Sequence, residues 1–476
     1  MVGRRKETEE LNRLYDSGKA ELVAVYGRRR VGKTYLIDEV FKNRMTFRHA
    51  GLSPAEVSGK NMMKNQLKHF YYSLQLQGMK KTRQPAGWLE AFYLLEQFLT
   101  ERDTGERQIV FLDELPWMDT PRSGFLTAFE GFWNTWACHR SNLMVIVCGS
   151  ANSWILDKLI NNHGGLYNRV TYEIKLQPFS LVECREYFAE NHVPISDYDV
   201  VQSYMIFGGI PYYLGYFQSK FSLAQNVDAL FFSQSARLQD EFERLFASAF
   251  VHPAAMIQLV KALYTRIAGY TRQELSQKSG IPDGGMLTDA LRALIAGDFV
   301  TKYVPFGSSQ SNVTYRLTDP FCLFYLRFVE KHPAGQERFW QENLLSPEIV
   351  VWRGLAFENV CFRHISQIKA ALGIIGVQTR QSAWIKRADE QDGTQIDMII
   401  ERADNVVNLC EIKFYSDELT VDKGYQRVLL HREELLMKEL NRKQVIHHTL
   451  ISTYGVKRNE YSGIFTDVVT LEDLMK

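Results

Sequence analysis

The chain has 476 residues, 45% hydrophobic and 23% charged, a balance that excludes a wholly disordered or fibrous protein and leaves room for about three domains at roughly 150 residues each. Lys and Arg total 56 against 55 Asp and Glu, a formal charge of +1, so attraction to nucleic acid must come from local patches rather than a global field. The charged start, MVGRRKETEELNRLY, has no signal-peptide core, and no apolar run reaches the ~18 residues a bilayer span needs, which predicts a cytoplasmic protein that makes no use of a membrane. The six cysteines are scattered without a CxxC pair and read as reduced core thiols.

A helix is predicted over 6–17, then a short apolar strand (ELVAVY), a glycine-bounded loop and a helix from Lys33. QIVFL and LMVIVC are continuous apolar runs without alternation, as expected of strands covered on both faces of a parallel sheet. Residues 1–180 therefore read as a doubly wound α/β core. Over 181–262 strand signals vanish and helical spacing dominates, predicting a helical lid or connector. Over 263–333, Thr271 with Glu274 three residues on opens a helix, a Gly-Ile-Pro-Asp turn and a second helix follow, a turn spans 306–312, and short strands flank it: the pattern of a winged helix-turn-helix. Past Pro333, residues 346–476 hold a helix, strands from about Asp392 to Phe414 and a closing helix, a further α/β unit.

Gly27, Arg28, Arg29, Arg30, Val31, Gly32, Lys33 and Thr34 satisfy G-x-x-x-x-G-K-[ST] between a strand and a helix. Such a loop turns successive N–H groups toward phosphate oxygens; Lys33 would meet the β- and γ-phosphates of ATP and Thr34 would bind Mg²⁺. IVFLDE ends an apolar strand in two acids, Asp113 for the metal shell and Glu114 to polarise water. Ser150 or Asn152, ending LMVIVCGSAN, could sense the γ-phosphate, with a simple strand-ending turn as the alternative. The three loop arginines face phosphate, DNA or a neighbouring domain; their sequence does not choose.

In order, VGRRKETEEL, VYGRRRVGKTYLI, IVFLDELPW, CGSAN, GGLYNRVTYEIKLQPFS and GGIPYYL resemble the archaeal-type ATPase family of the STAND branch of AAA+ P-loop NTPases, over about residues 1–240. The resemblance implies an αβα ATPase core followed by a helical lid. It implies that Pro211, in Gly209-Ile210-Pro211, approaches the nucleotide, and that Arg169 acts on the γ-phosphate. Relatives more often have glycine where this chain has Asn168, which leaves a plain surface arginine as the alternative.

Near the C-terminus, TQIDMII and VVNLCEIKF read as a β-hairpin carrying Asp397, Glu411 and Lys413 in otherwise apolar strands. Burying such charges is costly unless they pair or bind metal. Period-two geometry puts Glu411 and Lys413 on one face, and in-register pairing sets Asp397 opposite Glu411, a hard-oxygen site for Mg²⁺ that would activate water against a phosphodiester. Glu358 in the preceding helix and Gln426 in the following one are further polar candidates. The D…E-x-K set is similar to the PD-(D/E)XK nuclease superfamily, with isoleucine in place of the proline, which implies a restriction-endonuclease-like α/β domain acting on DNA. An inactive domain that only binds DNA or a partner, and a salt-bridged structural hairpin, are the alternatives.

The recognition helix of the winged segment carries Arg292 as its only basic residue, leaving DNA contact and interdomain packing equally open. His447-His448 shows no carboxylate at ligand spacing. The combined expectation is an ATPase, binding ATP or ADP with Mg²⁺, whose nucleotide state regulates a DNA nuclease-like domain. Assembly stays open between a monomer and a homo-oligomer.

Overall fold

The structure, a computed structural model, describes residues 1–53, 61–150, 152–161, 164–250, 252–308, 312–332, 335–386 and 393–476. Ala151, Pro333, Asp392 and part of the turn expected over 306–312 lie outside the described residues. The chain packs as two compact units. The first comprises Met1–Pro178, Glu241–Ile257 and Gly285–Asp298; the second comprises Phe179–Asp240, Gln258–Gly284 and Phe299–Lys476.

In the first unit, β1 (Glu21–Tyr26), β2 (Phe47–Ala50), β3 (Gln108–Asp113), β4 (Leu143–Gly149) and β5 (Tyr172–Lys175) form a parallel sheet in the order β2-β3-β4-β1-β5. Every residue of β1, β3 and β4 is buried, which is why these strands read as unbroken apolar runs. An aromatic core fills one face: Trp88 meets Phe125 edge-on at 4.8 Å, and Phe92 stacks on Phe132 at 5.2 Å. With β4 between β1 and β3, the glycine loop after β1, Asp113 at the end of β3 and Ser150 after β4 share the carboxyl edge of the sheet, where α/β folds bind ligands.

Among the described residues, the second unit begins with helices and shows no strand before β6 (Tyr270–Thr271), as the helical spacing predicts. Thr271 Oγ1 accepts from Glu274 N at 3.3 Å while Glu274 Oε2 accepts from Thr271 N at 2.8 Å, so the expected capping box opens the helix Arg272–Ser279. Strands β7 (Val300–Tyr303) and β8 (Thr314–Leu317) complete a small antiparallel sheet, β6-β8-β7. The helix Gly285–Ala296, expected as the recognition helix, belongs to the first unit instead.

The same unit holds β9 (Thr379–Lys386), β10 (Thr394–Arg402), β11 (Val406–Lys413), β12 (Val445–Ser452) and β13 (Asp467–Val469), in the order β13-β12-β11-β10-β9. Strands β9, β10 and β11 run antiparallel, while β12 and β13 continue parallel to β11. The helix Lys423–Met437 makes the crossover that a parallel β11-β12 pair requires, and the helix Pro347–Arg363 packs on β11. All six cysteines are free thiols, and five of them are buried. Among the described residues, no helix is long and apolar enough to cross a membrane.

Candidate functional site

Gly27 leaves β1 at φ +146°, and a Cβ there would collide with the Leu176 carbonyl oxygen, so the backbone passes closer than any side chain permits. Lys33 is buried. Its Nζ donates to Gly27 O (3.0 Å), Arg28 O (3.0 Å) and Ser150 Oγ (3.1 Å), folding the ammonium onto its own loop. Thr34 Oγ1 donates to Asp113 Oδ2 at 2.8 Å, and Asp113 Oδ1 accepts from Glu114 N at 2.9 Å. Glu114 sits at φ +46°, beyond the strand end, and both its oxygens accept from Ser150: Oε2 from the backbone N–H (2.9 Å), Oε1 from the hydroxyl (2.6 Å). Asn152 Oδ1 accepts from Gly27 N at 2.8 Å, and its Nδ2 donates to Ala296 O at 2.8 Å. Of the two residues between which the sequence did not decide, both therefore touch this site, Ser150 through Lys33 and Glu114 and Asn152 through the loop backbone.

The loop arginines are taken up within the unit. Arg28 is 2% exposed, Arg29 lies over the Trp117 ring at 5.9 Å, and Arg30, at φ +72°, pairs with Glu241, itself buried on the helix Glu241–Ala249. Val31 O accepts from Arg4 Nη2 at 3.1 Å, tying the loop to the first helix. Arg169 is exposed on the turn before β5, and among the described residues nothing joins its side chain to the phosphate loop. Pro211 opens the helix Pro211–Leu214 in the second unit, after a turn in which Gly209 O accepts from Phe179 N at 2.8 Å.

The helix Gly285–Ala296 docks on the core beside the helix Asn152–Ile155. Arg292 is held by Asp157 (3.3 Å) and Asp289 (2.7 Å), and Asp298, just past the helix, by Lys175 (2.6 Å).

In the second unit, Met398 pairs with Cys410 in the β10-β11 ladder, which sets Asp397 across from Glu411, as expected. Asp397 Oδ2 accepts from Ile412 N at 3.1 Å. Glu411 is 1% exposed, its Oε1 bound by Lys413 Nζ (2.7 Å) and Tyr425 OH (2.5 Å) and its Oε2 by Arg432. Burial, and then the charge of Asp397, push the Glu358 carboxyl up; burial, and then Glu411, do the same to Asp397. Burial works against the Lys413 ammonium, but Glu411 and Asp397 outweigh it and raise its pKa. Gln426 lies half-buried on the crossover helix. Among the described residues, no group of three or more His, Cys, Asp or Glu is poised to hold a metal ion, consistent with Glu411 being turned to three donors.

Sequence reasoning did not find Tyr425, Arg432, Glu241 or the approach of Arg316 to Glu358. For Tyr425 and Arg432 a signal existed: they share the inward face of their helix with buried Leu429 and Leu436, where polar residues demand partners. His448 has a partner that sequence spacing did not reveal. Its Nε2 lies 3.0 Å from Glu433 Oε2, a carboxylate that the crossover helix supplies from fifteen residues earlier.

Residues 1–217 match the family described as an ATPase domain predominantly from Archaea. An uncharacterised protein of Methanocaldococcus jannaschii is 25% identical over 399 residues, 82% of this chain and 83% of its own length. An uncharacterised ATP-binding protein of the same organism is 49% identical over 44 residues, 9% of this chain and 75% of its own length. The solved structure of the Walker-type ATPase of Pyrococcus abyssi aligns at 18% identity and a TM-score of 0.48, covering 69% of this chain and 96% of that one. The phosphate loop, Asp113 and Glu114, assembled on one sheet edge, all lie within the residues 1–217 that match this family of ATPase domains.

Proposed function

We propose that the chain is an ATP-binding and ATP-hydrolysing switch of the STAND/AAA+ type. It is organised as core (1–180), helical lid or connector (181–262), winged helix-turn-helix (263–333) and nuclease-like domain (346–476), and its nucleotide state controls Mg²⁺-dependent action of the last on DNA in the cytoplasm. The observation that carries the reading is the convergence of Lys33, Thr34, Asp113, Glu114 and Ser150 on one edge of the first sheet.

Lys33 would exchange its three oxygen partners for phosphate oxygens of ATP, while loop N–H groups donate to the same phosphates. Thr34 Oγ1 and Asp113 Oδ2, 2.8 Å apart, are hard oxygen donors that fit Mg²⁺, and the bound ion would neutralise charge on the β- and γ-phosphates. Glu114 polarises water once it leaves Ser150. The lid segment carrying Pro211 relays the nucleotide state, and exposed Arg169 suits the γ-phosphate of another copy in a homo-oligomer.

For the C-terminal domain, support comes from the register that faces Asp397 with Glu411, Lys413 on that face, and Glu358 on the adjoining helix. These partly buried carboxylates repel one another, a donor set that fits a hard cation held by Asp397 and Glu411, and the ion would supply Lewis acidity toward a phosphodiester. Lys413 would orient water, with Gln426 at the margin. A second reading is favoured by one fact: both Glu411 oxygens are already bound by Lys413, Tyr425 and Arg432. In that reading the domain is catalytically inactive and recognises DNA or a protein. For the winged segment, the pairing of Arg292 with Asp157 and Asp289 supports packing over DNA contact.

The test is cleavage of single-stranded, linear and circular DNA with Mg²⁺ in the presence of ATP, ADP or no nucleotide. Cleavage that depends on nucleotide and disappears in Asp397→Ala supports the first reading. Equal cleavage in all three states removes the regulation, and no cleavage with intact ATP turnover leaves the second reading.

A further inference from the structure

The second unit contains a cavity of about 420 Å³ that none of the chemistry above uses. That volume is within the range of small-molecule sites, ~300–1,000 Å³. Its walls are apolar: Leu317, Leu323, Leu355 and the Trp352 indole contribute to them. Trp352 also packs edge-on against Trp340 at 5.7 Å and Phe324 at 5.5 Å, so this wall is part of a dense aromatic cluster and holds its shape without a ligand.

Charge in the lining has one sign. Arg266, Arg316 and Arg327 contribute guanidiniums and no Asp or Glu contributes at all. Two of the three are answered from outside the lining. Arg266 pairs with Glu274 at 2.7 Å and stacks on the Tyr270 ring at 3.8 Å, and Arg327 pairs with Glu348 at 2.8 Å. Arg316, half-buried on β8, has no carboxylate within ion-pair distance among the described residues; it lies over the Phe362 ring at 5.9 Å, and its charge acts on Glu358, which is outside the lining. Side chains that would ordinarily be buried, Val351 (64% exposed) and Ile267 (50% exposed), also line the cavity.

An apolar hollow of this size whose lining holds three guanidiniums and no carboxylate is complementary to a molecule with an apolar body and one anionic head. We propose that this cavity binds a small amphipathic organic anion, with Arg316 holding the carboxylate or other acidic head and the Leu317, Leu323, Trp352 and Leu355 walls burying the body. The guanidinium fork matches a planar carboxylate bidentately, whereas a cationic amphiphile of the same shape would meet three like charges. The inference does not depend on the reading of the nucleotide site; it shares Arg316 with the surroundings of Glu358.

The full chain is titrated with 8-anilinonaphthalene-1-sulfonate, an anion with an aromatic body, followed by fluorescence. The expected result is one saturable site, emptied by laurate or by indole-3-acetate but not by dodecyltrimethylammonium; which of the two anions competes tells an aliphatic from an aromatic body. Arg316→Gln weakens binding about tenfold or more, the worth of a charge-assisted hydrogen bond. Val351→Trp adds bulk at an exposed position, where folding is not at stake, and blocks entry; an unchanged circular dichroism spectrum and urea midpoint verify the fold. The proposal is overturned if neither anion displaces the dye, if the cationic amphiphile competes equally, or if both variants bind the dye as tightly as the parent chain.

Discussion

Ser150 donates to Glu114 twice, from its backbone N–H at 2.9 Å and from its hydroxyl at 2.6 Å, while the same hydroxyl accepts from Lys33 at 3.1 Å. One side chain thus links the residue that would grip the phosphates to the residue that would polarise water. Drawing Lys33 toward a phosphate would remove one of the three hydrogen bonds of Ser150 and loosen its hold on Glu114. On the proposed roles, ATP binding and the release of Glu114 would be coupled through a single hydroxyl.

Removing that hydroxyl separates the two roles. In Ser150→Ala the backbone bond to Glu114 remains, so ATP affinity is expected to change little and turnover to fall about tenfold. Glu114→Gln, which keeps the shape but removes the base, should lower turnover by roughly 10²-fold or more with ATP still bound. Phosphate release at saturating ATP, with binding measured separately by calorimetry, checks both. A Ser150→Ala chain that loses affinity while keeping its turnover would contradict the linkage.

The carboxylate cluster of the second unit makes a prediction about stability as well as chemistry. Glu411 is 1% exposed and neutralised by Lys413, Tyr425 and Arg432, so Arg432→Leu strands part of a buried charge and should cost on the order of 3 kcal/mol. The carboxyls of Glu358 and Asp397 are instead pushed up by burial and by mutual repulsion. A carboxyl raised in the folded state favours folding below its unfolded pKa and loses that advantage as pH climbs through the folded value. Glu358→Gln is therefore expected to stabilise the chain at pH 8 in the presence of a chelator and to change little at pH 4. Urea midpoints at the two pH values decide; destabilisation at pH 8 would show that the charge of Glu358 is wanted in the fold.

How much of this could be read from the sequence depended on distance along the chain. The phosphate loop was legible because phosphate binding needs contiguous N–H groups, and Gly27 through Thr34 supply them in one run. Asp113 and Glu114 were legible because two acids ending a wholly apolar strand have no packing explanation. The facing of Asp397 and Glu411 followed from hairpin register alone. Arg30 with Glu241, Glu411 with Arg432 and His448 with Glu433 were not legible, since each joins residues that only the tertiary fold brings together. The Gly285–Ala296 helix was legible as a helix, but nothing in its composition told that its last carbonyl would be held by Asn152 of the nucleotide core.

The turn before Pro211 offers a sharp contrast between adjacent glycines. Gly209 stands at φ +68°, and a Cβ there would run into the Phe179 carbonyl oxygen; Gly208, at φ +70°, would place one 3.2 Å from the Pro320 ring, where a small shift suffices. A left-handed residue with a side chain costs ~1–2 kcal/mol by itself, and a backbone collision adds to it. Gly208→Ala should therefore lose about 1–2 kcal/mol and Gly209→Ala about 3 kcal/mol or more. Equal losses in urea denaturation would mean that the turn yields where the geometry says that it cannot.

His364 ends the helix Pro347–Arg363, where its Nε2 accepts from Leu181 N at 3.1 Å and its Nδ1 donates to Val360 O at 2.9 Å. The bond accepted from Leu181 needs the neutral ring, while the Nδ1 bond to Val360 favours the charged one; burial outweighs it and pushes the pKa down to about 4. An unfolded histidine titrates near 6.5, so the folded chain binds fewer protons than the unfolded one between those values. The contribution is complete above pH ~6.5 and drains as pH falls toward 4, amounting to roughly 3 kcal/mol for a single group. His49 in the first unit, pushed down to about 3 by burial and then by His69, has the same sign, so the two act together on acidification. His364→Phe should be less stable at pH 8, having lost both bonds, yet its stability should decline less steeply between pH 6.5 and 4.5. Parallel curves for the two chains would show that protonation of His364 does not oppose folding.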